Sequence, residues 1–387
     1  MLLGKIRELD DLSALESLAE DYEKEYGWPP FDLSHWDPSV QNTKALLKDL
    51  RLPMSPSVVP YIYSGDIQVD FQQQVIERLG LSSTVSECSI VPTGTSAILF
   101  AAWWLRAIGV SRVIVVCPVY FPVLYACEMA NLPCTRIYMR RHLGNWHLPE
   151  DEVIAALGGE ESEIALWITN PIYCTGQYLG ATEATFINSL LDRGIAVVAD
   201  ECLSINGKEL SRQLSRAERF VGIYCPHKSV CINAVKFAAI VFNMKYRRFF
   251  TDWSDVLVGG LSSSNYVAVL HFLDENFTAF QSAFTARIAS VRQLVTGIVH
   301  RYDPVIQVDA QSEGYFMTCY VPGISATGGS SEFLRHLVFG TGAIMIPGYR
   351  NHFSPQSGFN FRINLARECP QFLSALQRAI AHLAGAS

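Results

Sequence analysis

The sequence lacks the features of a nucleic-acid-binding or membrane protein. It has 30 Lys and Arg against 37 Asp and Glu, a formal net charge of −7, and its basic residues cluster only in short pairs such as Arg140-Arg141. Because a nucleic-acid surface concentrates positive charge, we expect none here. No uncharged run reaches the length of a membrane-spanning helix. The first residues turn acidic before a signal-peptide apolar segment develops, so we expect a cytoplasmic protein.

Paired cysteine motifs are also missing. The ten cysteines are scattered through apolar contexts, and no two form a Cys-x-x-Cys pair. No metal site is predicted, and most of the thiols should be reduced side chains in the core. The chain is rich in apolar residues: 49% of its 387 residues are hydrophobic and 17% are charged. This composition predicts a globular protein with a large core, divided into two lobes.

The order of apolar patterns predicts an α/β fold. Helical spacing over residues 5–24 indicates an amphipathic helix, and the Pro-, Ser- and Asp-rich residues 28–62 indicate a loop or arm. From residue 63 onward, helical patterns alternate with continuous Val, Ile and Ala runs, which are typical of a parallel sheet covered on both faces. The predicted strands there are Arg112–Cys117, Cys134–Tyr138, Ile164–Thr169, Ile195–Ala199, Phe220–Tyr224 and Phe237–Phe242.

Two long helical patterns over residues 264–300 precede a region of different character. The strands predicted beyond them are Val305–Val308, Tyr315–Tyr320, Ala343–Ile346 and Phe361–Leu365, with helices at Ser330–Val338 and Cys369–Ala384. We therefore predict three parts. They are an N-terminal helix and arm that pack on the small domain (1–50), a large cofactor-binding domain (51–275) and a small C-terminal α/β domain (276–387).

Two residues that end buried-looking strands suggest a covalently held cofactor. Asp200 closes the run Ile195-Ala-Val-Val-Ala-Asp200, and Lys228 ends Gly222-Ile-Tyr-Cys-Pro-His-Lys228. A lysine can form a Schiff base, and a carboxylate can pair with a ring nitrogen.

Lys228 and Asp200 belong to a set of five patterns that occur in one order. These are Pro92-Thr-Gly-Thr95, Cys117-Pro-Val-Tyr120, Thr169-Asn170-Pro-Ile-Tyr173-Cys-Thr-Gly176, Val197-Val-Ala-Asp200-Glu201, and Cys225-Pro-His-Lys228 with Lys236. Together they resemble the fold-type I pyridoxal-phosphate (PLP) enzymes of the class I/II aminotransferase family, from about residue 28 to the C-terminus. The resemblance implies a mostly parallel seven-stranded sheet between helices with a smaller α/β domain, PLP as cofactor, an amino-acid substrate and a homodimer with shared active sites.

The resemblance also assigns roles to individual residues. Lys228 would form the aldimine and move protons, Asp200 would protonate the pyridine nitrogen, and Tyr120 would stack on the ring. The phosphate would be held by Thr93, Gly94, Thr95, Cys225 and Lys236, with Tyr63 reaching the neighbouring subunit's phosphate. Asn170 and Tyr173 would lie beside the cofactor, Arg362 would bind the substrate carboxylate, and Trp36 and His35 would shape the entrance. An ordinary helix cap would also explain the threonine of the first pattern.

Departures from the family pattern leave the reaction open. Tyr173 and Leu203 replace the two usual partners of the cofactor's phenolic oxygen, Cys225 and Lys236 replace a serine and an arginine, and Trp36 replaces a glycine. An aminotransferase acting at the α carbon is the leading hypothesis. A specialised PLP enzyme of secondary metabolism (elimination, cyclisation or oxygen-dependent deamination) and a non-catalytic regulatory protein are the alternatives. We also expect burial beside cations to lower the pKa of Lys228.

Overall fold

The structure of the protein is a computed structural model, which describes residues 6–39, 41, 44, 64–81, 85–158, 161–230, 232–233, 236–258, 276–325 and 331–386. The helices are α1 Arg7–Tyr26, α2 Ser64–Leu79, α3 Gly94–Ala107, α4 Pro122–Met129, α5 Glu150–Ala156, α6 Ala181–Asp192, α7 Ser211–Leu214, α8 Arg247–Val258, α9 Asn276–Val299, α10 Ser331–Thr341 and α11 Pro370–Ala386. The strands are β1 Phe31–Asp32, β2 Ser86–Val91, β3 Arg112–Cys117, β4 Cys134–Tyr138, β5 Arg140–His142, β6 Asn145–His147, β7 Ile164–Thr169, β8 Ala196–Glu201, β9 Phe220–Tyr224, β10 Ala238–Asn243, β11 Gln307–Val308, β12 Phe316–Val321, β13 Ala343–Ile344 and β14 Phe359–Asn364. No helix in these ranges is long and apolar enough to cross a membrane.

The large sheet has seven strands in the order β2-β10-β9-β8-β7-β3-β4. The five strands from β9 to β4 run parallel, and β10 is antiparallel to both of its neighbours. The mostly parallel seven-stranded sheet implied by the resemblance is therefore confirmed.

Both faces of this sheet are buried, which explains its continuous apolar strands. On β3, Val113 and Val115 face a core shared with α3 and α4. The alternate residues Ile114 and Val116 face a second core, which includes side chains of α6 and α9. Successive side chains of a strand point to opposite faces, so a strand covered on both sides needs apolar residues at every position.

The edge strand β2 was not predicted. Its sequence, Ser86-Glu-Cys-Ser-Ile-Val91, mixes polar and apolar residues although every position is buried. The structure accommodates the polar side chains by pairing them: Arg247 Nε lies 2.7 Å from Glu87 Oε1, and Ser86 Oγ lies 3.0 Å from Ser215 Oγ. Because buried polar residues with distant partners interrupt the apolar pattern, that pattern does not predict this strand. The hairpin β5–β6 was not predicted either.

A second, antiparallel sheet has the order β11-β12-β14. The predicted strands Val305–Val308 and Ala343–Ile346 shrink to the two-residue β11 and β13, and of the two helices predicted over 264–300 the second is α9. Residues 259–275 lie outside the described residues. The arm reaches this region through β1, which pairs with β13 in parallel, while Leu15 of α1 packs on α10.

Candidate active site

Neighbouring parallel strands bring Asp200 and Lys228 to the same edge of the large sheet. Asp200 is the fifth residue of β8, and Lys228 lies in the 3-10 turn Pro226–Val230 that follows β9. The strands pair with Asp200 opposite Ile223. The carboxyl ends of parallel strands form the usual ligand-binding edge of such sheets, and both residues line one cavity there.

Most of the predicted site residues line this cavity, which we call the lysine cavity. They are His35, Trp36, Thr93, Gly94, Thr95, Tyr120, Tyr173, Asp200, Lys228 and Lys236. Asn170, Cys225 and Arg362 are not among the described residues that line it, and Tyr63 lies outside the described residues. The cavity wall also contains residues for which no role was predicted, among them Cys202, Asn233 and His227.

The pKa of Lys228 differs from the prediction. Burial is the largest single effect and lowers the pKa, but the attraction of Cys225, Cys202 and other neighbours together outweighs it, so the pKa lies above its ordinary value. Tyr315 and Asp200 act in the same direction. The predicted lowering was therefore wrong, because the residues packed around the amine are sulfur and oxygen groups rather than cations. The Nζ of Lys228 lies 5.7 Å from the centre of the Trp36 ring.

Asp200 is a buried carboxylate with spare acceptor capacity. It is 3% exposed, and its Oδ1 accepts a hydrogen bond from the Cys202 backbone N–H at 3.1 Å. Burial raises its pKa, while Cys202 and the Lys228 charge oppose the rise. A carboxylate has about four acceptor positions, so Asp200 can accept another hydrogen bond from a cationic N–H group in the cavity.

The start of α3 forms part of the wall of the lysine cavity. Thr93 caps this helix: its Oγ1 accepts a hydrogen bond from the Ser96 N–H at 2.9 Å, so the capping explanation of the first pattern holds for this residue. Gly94 is tightly enclosed, since a Cβ there would lie 2.9 Å from Cys202 Sγ. The free N–H groups of a helix start attract anions, and Thr95 also hydrogen-bonds Tyr120.

Cys225 lies behind this wall. It is 0% exposed, and its Sγ is 3.2 Å from Cys202 Sγ, in hydrogen-bond contact. Its sulfur contacts the other thiol and also lies beside Gly94, where a Cβ would be 3.2 Å away. The contact of Cys225 with a bound phosphate stays a prediction. Cys202 was not predicted as a site residue because its contact with Cys225 depends on how β8 pairs with β9. Glu201 and Tyr224 are paired in these strands, and each cysteine is the next residue after one of them.

Arg362 packs against Trp36 and is not among the described residues that line the lysine cavity. Its guanidinium carbon is 4.2 Å from the centre of the Trp36 ring and 5.0 Å from that of Phe316. Its Nε donates to the Ser34 carbonyl at 3.0 Å. The position of Arg362 is fixed by stacking and this backbone contact, and it lines a neighbouring cavity that shares Trp36 with the first.

Tyr173 and Asn170 make contacts that the sequence did not suggest. The phenol oxygen of Tyr173 lies 3.4 Å from Arg362 Nη1, so the side chain reaches the arginine. Asn170 is buried, and its Nδ2 donates to Glu201 Oε1 at 3.2 Å and to the Lys208 carbonyl at 3.0 Å. These bonds fix the end of β7, which explains why Asn170 does not reach the cavity.

His227 is neutral. It is 4% exposed, and burial followed by the charge of Lys228 lowers its pKa to about 3. Its Nδ1 has no hydrogen-bond partner among the described residues. The imidazole packs at a tilt against Phe237, with ring centres 5.3 Å apart, and also hydrogen-bonds the Phe237 backbone, and these two contacts orient it.

Comparison with known proteins gives matches at the level of structure. No protein-family model and no curated protein sequence matches the chain. Solved structures match nearly all of it. A methionine aminotransferase of Escherichia coli has a TM-score of 0.75 at 14% identity, covering 98% of this chain and 97% of that one. An aspartate aminotransferase double mutant from Thermus thermophilus scores 0.77 at 14% identity, covering 99% and 100%. The N-succinyldiaminopimelate aminotransferase of Mycobacterium tuberculosis scores 0.73 at 17% identity, covering 94% and 96%. At such identities the likeness establishes the fold, which is that of the fold-type I aminotransferases.

Proposed function

We propose that this chain is a PLP-dependent aminotransferase-type enzyme that acts at the α carbon of an amino acid. The observation that carries the proposal is the meeting of Lys228 and Asp200 in one cavity, at the ends of adjacent parallel strands. The likeness to three aminotransferases over nearly the whole chain supports it.

The residues of the lysine cavity fit PLP. The cavity has an amine for covalent attachment at Lys228, a buried carboxylate for the ring nitrogen at Asp200, and a helix start at Gly94 that is too tightly enclosed for a Cβ. Gly94, Thr95 and Lys236 would hold the phosphate, and Tyr120 would lie against the ring. When bound, PLP supplies an electron sink for bond breaking at the substrate's α carbon.

Lys228 has two tasks in this proposal, attachment and proton transfer. Both need the neutral amine, since an ammonium has no lone pair. The raised pKa of Lys228 therefore means that attachment requires the loss of a proton from Nζ, and the sulfur pair beneath it opposes that loss. Once neutral, Nζ can accept the proton from the α carbon and return it at another atom.

Arg362 would bind the substrate's α-carboxylate. Its fork of donors suits two carboxylate oxygens. Because Trp36 contacts Arg362 and lies near Lys228, a substrate that reaches both would lie against the indole. Trp36 is thus in a position to influence which side chains enter.

The first experiment tests cofactor attachment. Purified protein mixed with PLP should gain a visible absorption band that disappears in Lys228→Ala and persists in Lys245→Ala, a surface control whose Nζ pairs with Glu218. Protein that binds no PLP would favour the non-catalytic alternative.

A second experiment tests the reaction. PLP-loaded protein is mixed with single amino acids in the absence of a 2-oxo acid. Stoichiometric conversion to the pyridoxamine form, without ammonia release or oxygen uptake, would support transamination. Sustained turnover without an acceptor would instead identify the specialised alternative.

We further propose a cytoplasmic homodimer with active sites shared between subunits. The support is the resemblance, in which Tyr63 corresponds to a residue that reaches across the dimer. Light scattering of the purified protein measures the mass of the assembly, and a monomer that binds PLP and reacts normally would refute the shared site.

A further inference from the structure

A second cavity adjoins the lysine cavity at Trp36, and we call it the distal chamber. It shares His35, Trp36, Tyr120 and Tyr173 with the lysine cavity and is also lined by Arg362, Arg350 and Asn351. Residues of α1 complete its wall together with Asp32, Phe121, Ile344 and Ile346. The two cavities therefore meet at the shared aromatic side chains.

Arg350 is a buried cation whose ion pair, with Asp11, is long. Its side chain is 4% exposed, and its Nε and Nη1 have no hydrogen-bond partner among the described residues. The adjacent Asn351 is 5% exposed, and its Nδ2 is also without one in the same part of the structure. Buried donors are nearly always hydrogen-bonded, so these unpaired donors point to an acceptor that is bound in use.

The acidic residues around the chamber do not satisfy Arg350. The nearest, Asp11 of α1, has Oδ2 3.7 Å from Arg350 Nε, which is too long for a hydrogen bond. Glu8 instead accepts a hydrogen bond from the Tyr125 hydroxyl at 2.7 Å. Asp32 accepts from the Ser34 N–H at 2.7 Å. Glu16 also lines the chamber. Among the described residues, Asp11 is the only one of these four acids that forms an ion pair with the guanidinium.

We propose that Arg350 and Asn351 bind a second carboxylate, so that the substrate is an amino acid with a carboxylate in its side chain. Arg362 would take the α-carboxylate and Arg350 the distal one, with the chain of the molecule lying along Trp36 and Tyr173. The proposal rests on the function proposed above. A guanidinium fork is the side chain best suited to a carboxylate in a buried site.

The test uses protein without cofactor and compares glutarate with butyrate, which lacks the second carboxylate. Calorimetry should show glutarate binding more tightly. Arg350→Gln should lower the affinity for glutarate about tenfold or more and change the affinity for butyrate by no more than about twofold. Arg350→Lys, which keeps the charge and loses the fork, should fall between. Arg106→Gln, an exposed arginine on α3, is the control and should change neither.

Asp11→Asn tests whether Arg350 binds a ligand or only anchors α1 through its ion pair with Asp11. If Arg350 binds a carboxylate, removing its competitor should tighten glutarate binding severalfold. If Arg350 only holds α1, Asp11→Asn and Arg350→Gln should lower thermal stability alike and leave the ratio of glutarate to butyrate affinity unchanged. That result, or equal binding of both acids by the wild type, would overturn the proposal.

The two proposals fail in different ways. Selective glutarate binding by a protein that attaches no PLP would refute the proposed enzyme and leave the carboxylate site in place. PLP-loaded protein that converts aliphatic amino acids as fast as aspartate or glutamate would refute the site and leave the enzyme.

The Cys202–Cys225 contact independently carries a second inference. The sulfur atoms are 3.2 Å apart, on neighbouring positions just beyond paired strands, and adjacent strands are spaced within the range that a disulfide spans. Cys202 also lines the lysine cavity, which a small oxidant can enter.

We infer that Cys202 and Cys225 are a site of reversible oxidation. One sulfur attacks hydrogen peroxide to give a sulfenic acid and one water, and the other displaces the second water to close the disulfide. The two thiols lose two electrons, and the peroxide gains them. Oxidation would remove both thiols beneath Gly94 and Lys228, so the attraction that raises the pKa of Lys228 would be lost.

Peptide mapping after peroxide treatment tests this inference. A Cys202–Cys225 disulfide should form, reverse with dithiothreitol and be absent in Cys202→Ser. Cys127 and Cys134 are a second thiol pair in contact and serve as an internal comparison away from the cavity. Peroxide that oxidises Cys127 and Cys134 while Cys202 and Cys225 stay reduced would refute the assignment.

Discussion

Gly94→Ala probes the wall of the lysine cavity directly. The new Cβ would lie 2.9 Å from Cys202 Sγ and 3.2 Å from Cys225 Sγ, both closer than van der Waals contact. Overpacking of this kind costs about 1–3 kcal/mol. Gly94 opens α3 without a positive φ, so alanine's preference for helix offsets roughly 0.5–1 kcal/mol of that cost. We expect a net loss of about 1–2 kcal/mol in urea unfolding.

The same substitution should weaken PLP binding more than it weakens the fold. A methyl at this position occupies the approach to the N–H groups of the helix start, so PLP affinity should fall about tenfold or more. Spectroscopic titration measures this loss. The double variant Gly94→Ala/Cys202→Ala removes the nearer sulfur, and it should regain stability without regaining affinity.

Gly297→Ala is the matched control, because nothing lies within 4 Å of a Cβ there and the residue is inside α9. It should stabilise the protein by about 0.5 kcal/mol or slightly more. If Gly94→Ala were as stable as Gly297→Ala and bound PLP like the wild type, our description of this wall would be wrong.

Three further predictions follow from buried groups. Burial raises the pKa of Asp309 to about 7 against an ordinary 3.8, so the stability it contributes is full below about pH 4 and is lost as pH rises through about 7. The difference in unfolding free energy between wild type and Asp309→Asn should decline over this interval in urea titrations, and a flat difference would contradict the prediction. Cys225→Ser should lower the pKa of Lys228, because a serine hydroxyl stays neutral. The pH midpoint of PLP attachment should then move down, and an unmoved midpoint would exclude the sulfur effect. Gly176→Ala should cost about 3 kcal/mol, since φ is +71° and the Cβ would meet the Phe316 carbonyl, and near-wild-type stability in urea would refute this.

The large sheet was largely predictable because its central strands are covered on both faces. Arg112–Cys117 and Ile164–Thr169 were predicted to the residue, since burial on both sides leaves an uninterrupted apolar run. β2 was missed because the buried Glu87 pairs with Arg247, a residue far away in the chain. Local pattern cannot reveal a partner supplied by a distant helix.

The sequence predicted most of the residues that line the candidate site, but fewer of the contacts between their side chains. Motif order placed Lys228 and Asp200 correctly at one edge of the sheet. The contact between Cys202 and Cys225 and the stacking of Arg362 on Trp36 depend on strand register and packing between separate parts of the chain. For the same reason the sign of the Lys228 pKa shift was wrong, because it is set by neighbours that the sequence alone does not bring together.

The central claim is that Lys228 attaches the cofactor. The most direct measurement is borohydride reduction of PLP-treated protein, followed by peptide mapping of the labelled lysine. We predict one label per chain, on Lys228. A label on Lys236 instead, or on no lysine, would contradict the account.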